Sequence, residues 1–393
     1  MKKLIAMILA AAMLLSLTAC GSTAADAAAD NPEAETASAD ASAETPPEKP
    51  DGTPPDGANG QPGTPRTATR PTVRRMVSPA ASAEDGDFYG MNAALLATNG
   101  ATVTIKNATV NSSAQNGNGV FSYGADTTVN ISDSTITTSA DNSGGIQTTG
   151  GGTTNAENLT ITTSGNSSAA IRSDRGGGTV NVTGGSYTSN GYNSPAVYST
   201  AAITVKNVKL TANNSELLVI EGKNSIALEN CTVSGNMSST KGSSSSENVH
   251  TVMIYQSMSG DADVGTSEFS MTGGSLTGKN GDLFYITNTH CILTLSGVTL
   301  KNEDPDGYLL RVVGNSASHG WGTAGSNGAQ VEFTADAQTL EGNILVDTIS
   351  TLDRLAHITQ LLGCDLKNPD FCLTLGILLR AELQQKRIAQ PRT

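Results

Sequence analysis

The chain has 393 residues, a formal net charge of -13 and only 4% aromatic residues against 42 glycines. So few large side chains cannot fill the core of a helical globule. The acidic balance argues against nucleic acid as a partner, because such binding draws its affinity from clustered Lys and Arg.

Residues 1–20 read as an address. Lys2 and Lys3 form a positive start, "LIAMILAAAMLLSL" an apolar stretch, and Leu17, Thr18, Ala19 and Cys20 close it with small residues. "LTAC" resembles the lipobox of bacterial lipoproteins. That resemblance implies that Cys20 is diacylated, which anchors the protein to the cell membrane at its extracytoplasmic surface. Each buried methylene of an acyl chain contributes about 0.8 kcal/mol to such anchoring. Residues 21–82 are rich in Ala, Thr, Pro, Asp and Glu, centred on "ETPPEKPDGTPPDGANGQPGTP". With almost nothing apolar to bury, this segment is expected to be a disordered tether.

From Thr102 onward a short figure recurs: "TVTIKNATV", "TVNISDSTI", "TTNAENLTI", "TVNVTGGSY", "AITVKNVKL", "SIALENCTV", "FSMTGGSLT" and "LTLSGVTLK". In register, an apolar column runs Ile105, Ile131, Ala156, Val182, Val205, Leu228, Met271, Leu295. A turn column two residues on runs Asn107, Asp133, Asn158, Gly184, Asn207, Asn230, Gly273, Gly297. Gly, Asn and Asp are the residues that enter the left-handed backbone region at least cost, so this column predicts a one-residue bend between two short strands.

The first six copies follow one another at steps of 23 to 26 residues. That period is too long for a hairpin and too short for a βαβ unit, but it fits one coil of three strands. The third strand is legible between the copies as "GVFSY", "GIQTT", "AIRSD", "AVYST", "VIEGK", "MIYQS", "FYITN" and "LRVVG". Together these features resemble the right-handed parallel β-helix of the pectin-lyase-like superfamily. The resemblance implies an all-β solenoid of about nine coils over residues 83–350. The rest, 351–393, turns from Gly, Ser and Thr to Leu, Arg and Gln. It reads either as a helical cap, since "LDRLAHITQLL" has helical spacing, or as a frameshifted end.

Cys231 follows a turn-column Asn where other coils place Ala108, Leu159 and Val208, which predicts a small buried side chain. Cys364 and Cys372 have no pair of His nearby, and the four His are scattered, so no metal or other cofactor is expected.

Alternation places Phe121, Gln147, Arg172, Tyr198, Glu221, Tyr255, Tyr285 and Arg311 in one outward column. Rings, guanidinium groups and amides suit a polysaccharide, so Arg172, Tyr198, Tyr255, Tyr285 and Arg311, with Trp321 from a Gly-rich loop, are the candidate glycan-binding residues. The leading expectation is a surface module that binds carbohydrate or a host or cell surface without cleaving it. Two alternatives stand beside it, a polysaccharide lyase or glycosidase, and a structural spacer. For an enzyme the candidates are Arg172, Asp174, Arg175 and Glu221. Counting coils sets Asp174 and Glu221 two steps of about 4.8 Å apart plus an offset along the strand, too far for a catalytic carboxylate pair. The lipobox carries its own test. Labelled fatty acid fed to a bacterial host should enter the wild-type protein and be absent from Cys20→Ala.

Overall fold

The computed structural model describes residues 82–238, 248–314 and 327–362, with 354–362 given by their backbone alone. All of them fall in the unit Arg74–Thr393. Among the described residues the architecture is all-β with one short helix, and every strand pairing is parallel.

Two long sheets run through the molecule. One is ten-stranded, and its neighbours in chain order are Leu95–Ala97, Val120–Tyr123, Ile146–Thr149, Ile171–Ser173, Val197–Ser199, Leu218–Glu221, His250–Tyr255, Asp282–Thr287, Leu310–Val312 and Ile344–Val346. The second holds sixteen strands and carries the two arms of each repeat, such as Thr102–Lys106 and Thr109–Ser112. In some coils the arms fuse into a single twelve-residue strand, as in Gly152–Thr163 and Gly178–Ser189. A segment therefore pairs with its counterpart one repeat later, not with its neighbour in sequence.

The register read from the sequence is the register of the fold. Ile105 pairs with Ile131, then Ala156, Val182, Val205, Leu228, Met271 and Leu295 in unbroken succession. Val120, Ile146, Ile171 and Val197 stack likewise on the first sheet and continue through Leu218 and Val252. These columns are buried and form one continuous apolar core. Each Val, Ile or Leu in it contributes about 1.5–3 kcal/mol by leaving water. Cys231 is buried, as expected, and its Sγ donates to the Val205 carbonyl oxygen at 3.4 Å.

All eight turn-column residues have positive φ, between 50° and 68°. Ala337, which follows the pairing of Ser296 with Asp336, continues the column at φ 48°. One left-handed residue turns the chain from the first arm to the second, and parallel pairing with the neighbouring repeats holds it there.

Two features depart from the expectation. Residues 83–89 form a helix, α1 (Ala83–Tyr89), capped by Ser82 and Asp85 in a reciprocal pair of hydrogen bonds and closed by Gly90 at φ 71°. At the other end, Thr351–Leu362 is not helical: it pairs in parallel with Gln330–Glu341, with register shifts. An open row of unpaired N–H and C=O groups recruits the next segment into the sheet, and this outweighs the helical spacing of its apolar residues. Residues 363–393, with Cys364 and Cys372, lie outside the described residues, as do Cys20 and the tether.

The corner column makes a stability prediction of two signs. Asn207→Val should lower stability by about 1–2 kcal/mol, because a β-branched residue is strained at φ 55°, whereas Thr204→Val on the half-buried outer face should change little. Ala337→Gly should raise stability, since it removes the same strain. Thermal melts of the three variants against wild type provide the check.

Candidate functional site

Side chains on the outer face of the ten-stranded sheet define the site. Tyr198 pairs with Arg172, and Arg172 with Gln147, as the alternation predicted. Beyond Tyr198 the column continues through Val219 and Met253, and only then through Tyr285 and Arg311. Glu221 and Tyr255 therefore stand two residues further along their strands. A shift of two keeps a side chain on the same face, so the alternation pattern carries no sign of it.

The shift brings Glu221 and Tyr255 together. They pair in register, and both line a cavity of about 400 Å³ together with Arg172, Asp174, Tyr198, Val219 and Glu216. Asp174 and Glu221 both line this cavity. Such a volume lies in the range of small-molecule sites, about 300–1,000 Å³.

Two segments border the cavity from outside the sheet. α1 lies over the early coils: Gln147 Nε2 donates to the Asp87 carbonyl oxygen at 2.6 Å, and Thr149 Oγ1 to that of Phe88 at 2.7 Å. Gly90 is required there, because a Cβ would sit 2.5 Å from the Phe121 ring. The loop after His250–Tyr255 supplies Ser257, Ser259 and Asp261. Arg175 joins the two segments, reaching Glu84 of α1 at 2.7 Å and Asp261 at 2.6 Å while its guanidinium lies 3.8 Å from the centre of the Phe88 ring.

Glu221 is the hub. Its side chain is buried, with the residue 2% exposed, and four hydroxyls lie within hydrogen-bond distance of its two oxygens. Tyr198 and Tyr255 donate to Oε2, the latter at 3.1 Å, and Ser257 to Oε1, while the single Ser259 proton is shared between Glu221 Oε1 at 3.3 Å and Asp261 Oδ2 at 3.2 Å. Burial pushes the Tyr198 hydroxyl well above its ordinary pKa, which keeps it protonated and a donor. Beside the hub, Arg172 holds Asp174 through Nη2 at 2.7 Å and Nε at 2.8 Å. Burial raises the Asp174 carboxyl, Arg172 opposes this, and Asp261 and Glu221 add to the rise. The Asp87 carboxyl is also raised by burial, against the pull of Arg172.

The remaining candidates lie elsewhere. Tyr285 is fully buried, stacked on the His250 ring at 4.9 Å, and Tyr255 is only 3% exposed. The predicted open row of stacking rings is therefore absent: Tyr285 is stacked on His250 and clustered with Met253 and Tyr255, and only Arg172, Tyr198 and Arg311 of the row stay half-buried. Arg311 pairs with Asp282 at 2.5 Å and lies over the Tyr308 ring, away from the cavity. Trp321 is outside the described residues. Sequence reasoning missed Phe88, Glu216, Ser257, Ser259 and Asp261. Only α1 left a signal, in the spacing of Ser82 and Asp85 before Gly90.

No protein family, curated protein or solved structure matches this chain. Its site rests on geometry alone, and the clasp at Arg175 offers a first test. Arg175 is 44% exposed, so its ion pairs contribute only about 0–1 kcal/mol and Arg175→Ala should melt near wild type. The same variant should be cut faster by protease near α1, because the contacts that tie Glu84 and Phe88 to the 256–263 loop are gone. An unchanged digestion pattern would show that α1 is held by its bonds to Gln147 and Thr149 alone.

Proposed function

We propose that the chain is a lipoprotein anchored through Cys20 and exposed at the cell surface, in which a right-handed parallel β-helix of the pectin-lyase-like kind carries a noncatalytic glycan-binding site. The observation that carries this reading is the cavity around Glu221, whose polar groups are already satisfied by one another. A hydroxyl-rich ligand exchanges such bonds for its own at little cost. The apolar wall of Phe88, Pro195 and Val219 offers a surface for the carbon face of a sugar ring.

The bond pattern also argues against chemistry. A glycosidase needs one carboxyl group free to give a proton and another free to act as nucleophile or base. Asp174 is tied to Arg172, and Glu221 accepts from the Tyr198, Tyr255 and Ser257 hydroxyls, with Ser259 shared between it and Asp261. A lyase acting on acidic sugars needs cationic groups for the substrate carboxylate. Arg172 is the sole cation among the cavity's lining residues, beside Asp174, Glu216, Glu221 and Asp261. One observation favours a hydrolase as a second reading: burial raises the Asp174 carboxyl, as in a general acid.

A cavity of about 400 Å³ changes the expected ligand from an extended chain to a chain end or a short oligosaccharide. Soluble protein lacking residues 1–20 should bind such glycans on an array, in the micromolar to millimolar range set by a few stacking and polar contacts of about 1 kcal/mol each. Tyr198→Phe, which deletes one hydroxyl of the ring around Glu221, should weaken binding several-fold and leave the fold intact. Release of reducing or unsaturated ends from any bound glycan would transfer the site to the enzyme reading.

A further inference from the structure

The outer column of the ten-stranded sheet does not stop where the cavity stops. From Tyr198 and Arg172 it runs back in unbroken register through Gln147 and Phe121 to Leu96. Two residues along the strands, on the same face, Tyr123 pairs with Thr149. Beyond the cavity the row therefore continues with aromatic rings, an amide and a hydroxyl, the groups that suit the faces and hydroxyls of sugars.

This stretch lies beneath α1. A Cβ on Gly90 would sit 2.5 Å from the Phe121 ring and 2.9 Å from Leu96, and the Tyr89 ring meets that of Tyr123 edge-on with centroids 5.3 Å apart. The Asp87 and Phe88 carbonyl oxygens accept from the Gln147 amide and the Thr149 hydroxyl. Phe121, Gln147 and Thr149 point outward from the sheet and are nonetheless fully buried.

The contact is poorly satisfied. Gln147 Oε1 and Asp87 Oδ1 are both buried and have no hydrogen-bond partner among the described residues, and they belong to the two side chains that meet where the Gln147 amide holds the Asp87 carbonyl. Burial raises the Asp87 carboxyl against the pull of Arg172. Buried acceptors left unpaired are costly. α1 is also only seven residues long, too short to hold its shape in water by its own hydrogen bonds, and its ion pair with Arg175 is exposed.

We infer that α1 is a displaceable cover, and that the face beneath it is the continuation of the glycan site. A neutral oligosaccharide longer than the cavity lifts α1 and lies along Tyr198, Arg172, Gln147 and Phe121. Successive repeats step by about 4.8 Å, close to the length of one sugar residue, so neighbouring rings meet neighbouring side chains. A sugar face takes the place of Tyr89 and Gly90 on Phe121, and a sugar hydroxyl donates to Gln147 Oε1, the acceptor that α1 leaves unpaired. Asp87 returns to water. Neutral sugars fit best, because Asp174, Glu216, Glu221 and Asp261 outnumber Arg172 at the cavity.

This inference rests on the glycan-binding reading, and chain length separates the two. Protein lacking residues 1–20 is mixed with the dimer and the hexamer of β-1,4-linked glucose and of β-1,4-linked N-acetylglucosamine. Calorimetry gives the affinities, and mass spectrometry follows hydrogen exchange in peptides covering Ala83–Tyr89. The hexamer should speed exchange in α1 several-fold, whereas the dimer should leave it unchanged or slow it. Arg175→Ala, which loosens α1 from outside the row, should raise the ratio of hexamer to dimer affinity several-fold. Gln147→Leu also loosens α1 but removes a sugar contact, so it should lower that ratio. A hexamer that binds without speeding exchange in α1 overturns the inference and leaves the glycan reading standing, as does an affinity ratio indifferent to both substitutions. Binding of neither sugar at either length overturns it as well, and the glycan array then judges the wider reading by itself.

Discussion

One residue per coil, held in the left-handed backbone region, is the constraint on which the structure depends. At Asn107 and its counterparts a single positive φ turns the chain from one arm of the repeat to the next. Because the bend takes one residue, the arms on either side keep a fixed phase, and each strand meets the same strand of the next coil. Parallel pairing then continues from coil to coil without a hairpin, and side chains of one kind stack on their own kind. Ala337 holds the same conformation with a residue poorly suited to it, which shows that the stack of corners imposes the angle even where the local sequence does not favour it.

Regularity of this type makes every outer face a row of equivalent positions, and a row by itself encloses nothing. A cavity appears where regularity is broken. On the ten-stranded sheet this happens three times in one place: α1 lies across the early coils, the strands Leu218–Glu221 and His250–Tyr255 run two residues past the position of Tyr198, and the loop that follows Tyr255 folds back over the sheet. Arg175 binds the first and the last of these together. The repeat supplies a rigid platform, and the departures from it supply the walls.

The chemistry of the site follows from enclosing charge. In water an outward Glu or Asp on a sheet face is ordinary, but under α1 and the loop Asp174 and Glu221 lose solvent and need substitutes for it. Asp174 finds a guanidinium. Glu221 finds four hydroxyls, which are neutral and therefore solvate its charge without cancelling it. That difference leaves a buried negative group surrounded by hydroxyl oxygens.

How much of this was legible in the residues depends on the range of the interaction involved. The parallel pairing of successive repeats, the corner column from Asn107 to Gly297 and the apolar ladder from Ile105 to Leu295 could be read directly, because each arises from a local conformational preference repeated along the chain. The outward placement of Arg172 and Tyr198 was legible for the same reason. The site was not. A two-residue shift at Glu221 and Tyr255 preserves alternation and so leaves no trace in the pattern. The burial of Tyr285, the covering of Gln147 by α1 and the approach of Asp261 to Arg175 join segments tens of residues apart with no shared period. At the far end, Thr351–Leu362 carries helical spacing yet forms a strand, because the open edge of Gln330–Glu341 offers backbone partners that a sequence window does not contain. Local preference and its repetition set the solenoid-like frame; which outward side chains lose water, and which partners they then find, was decided by long-range contacts alone.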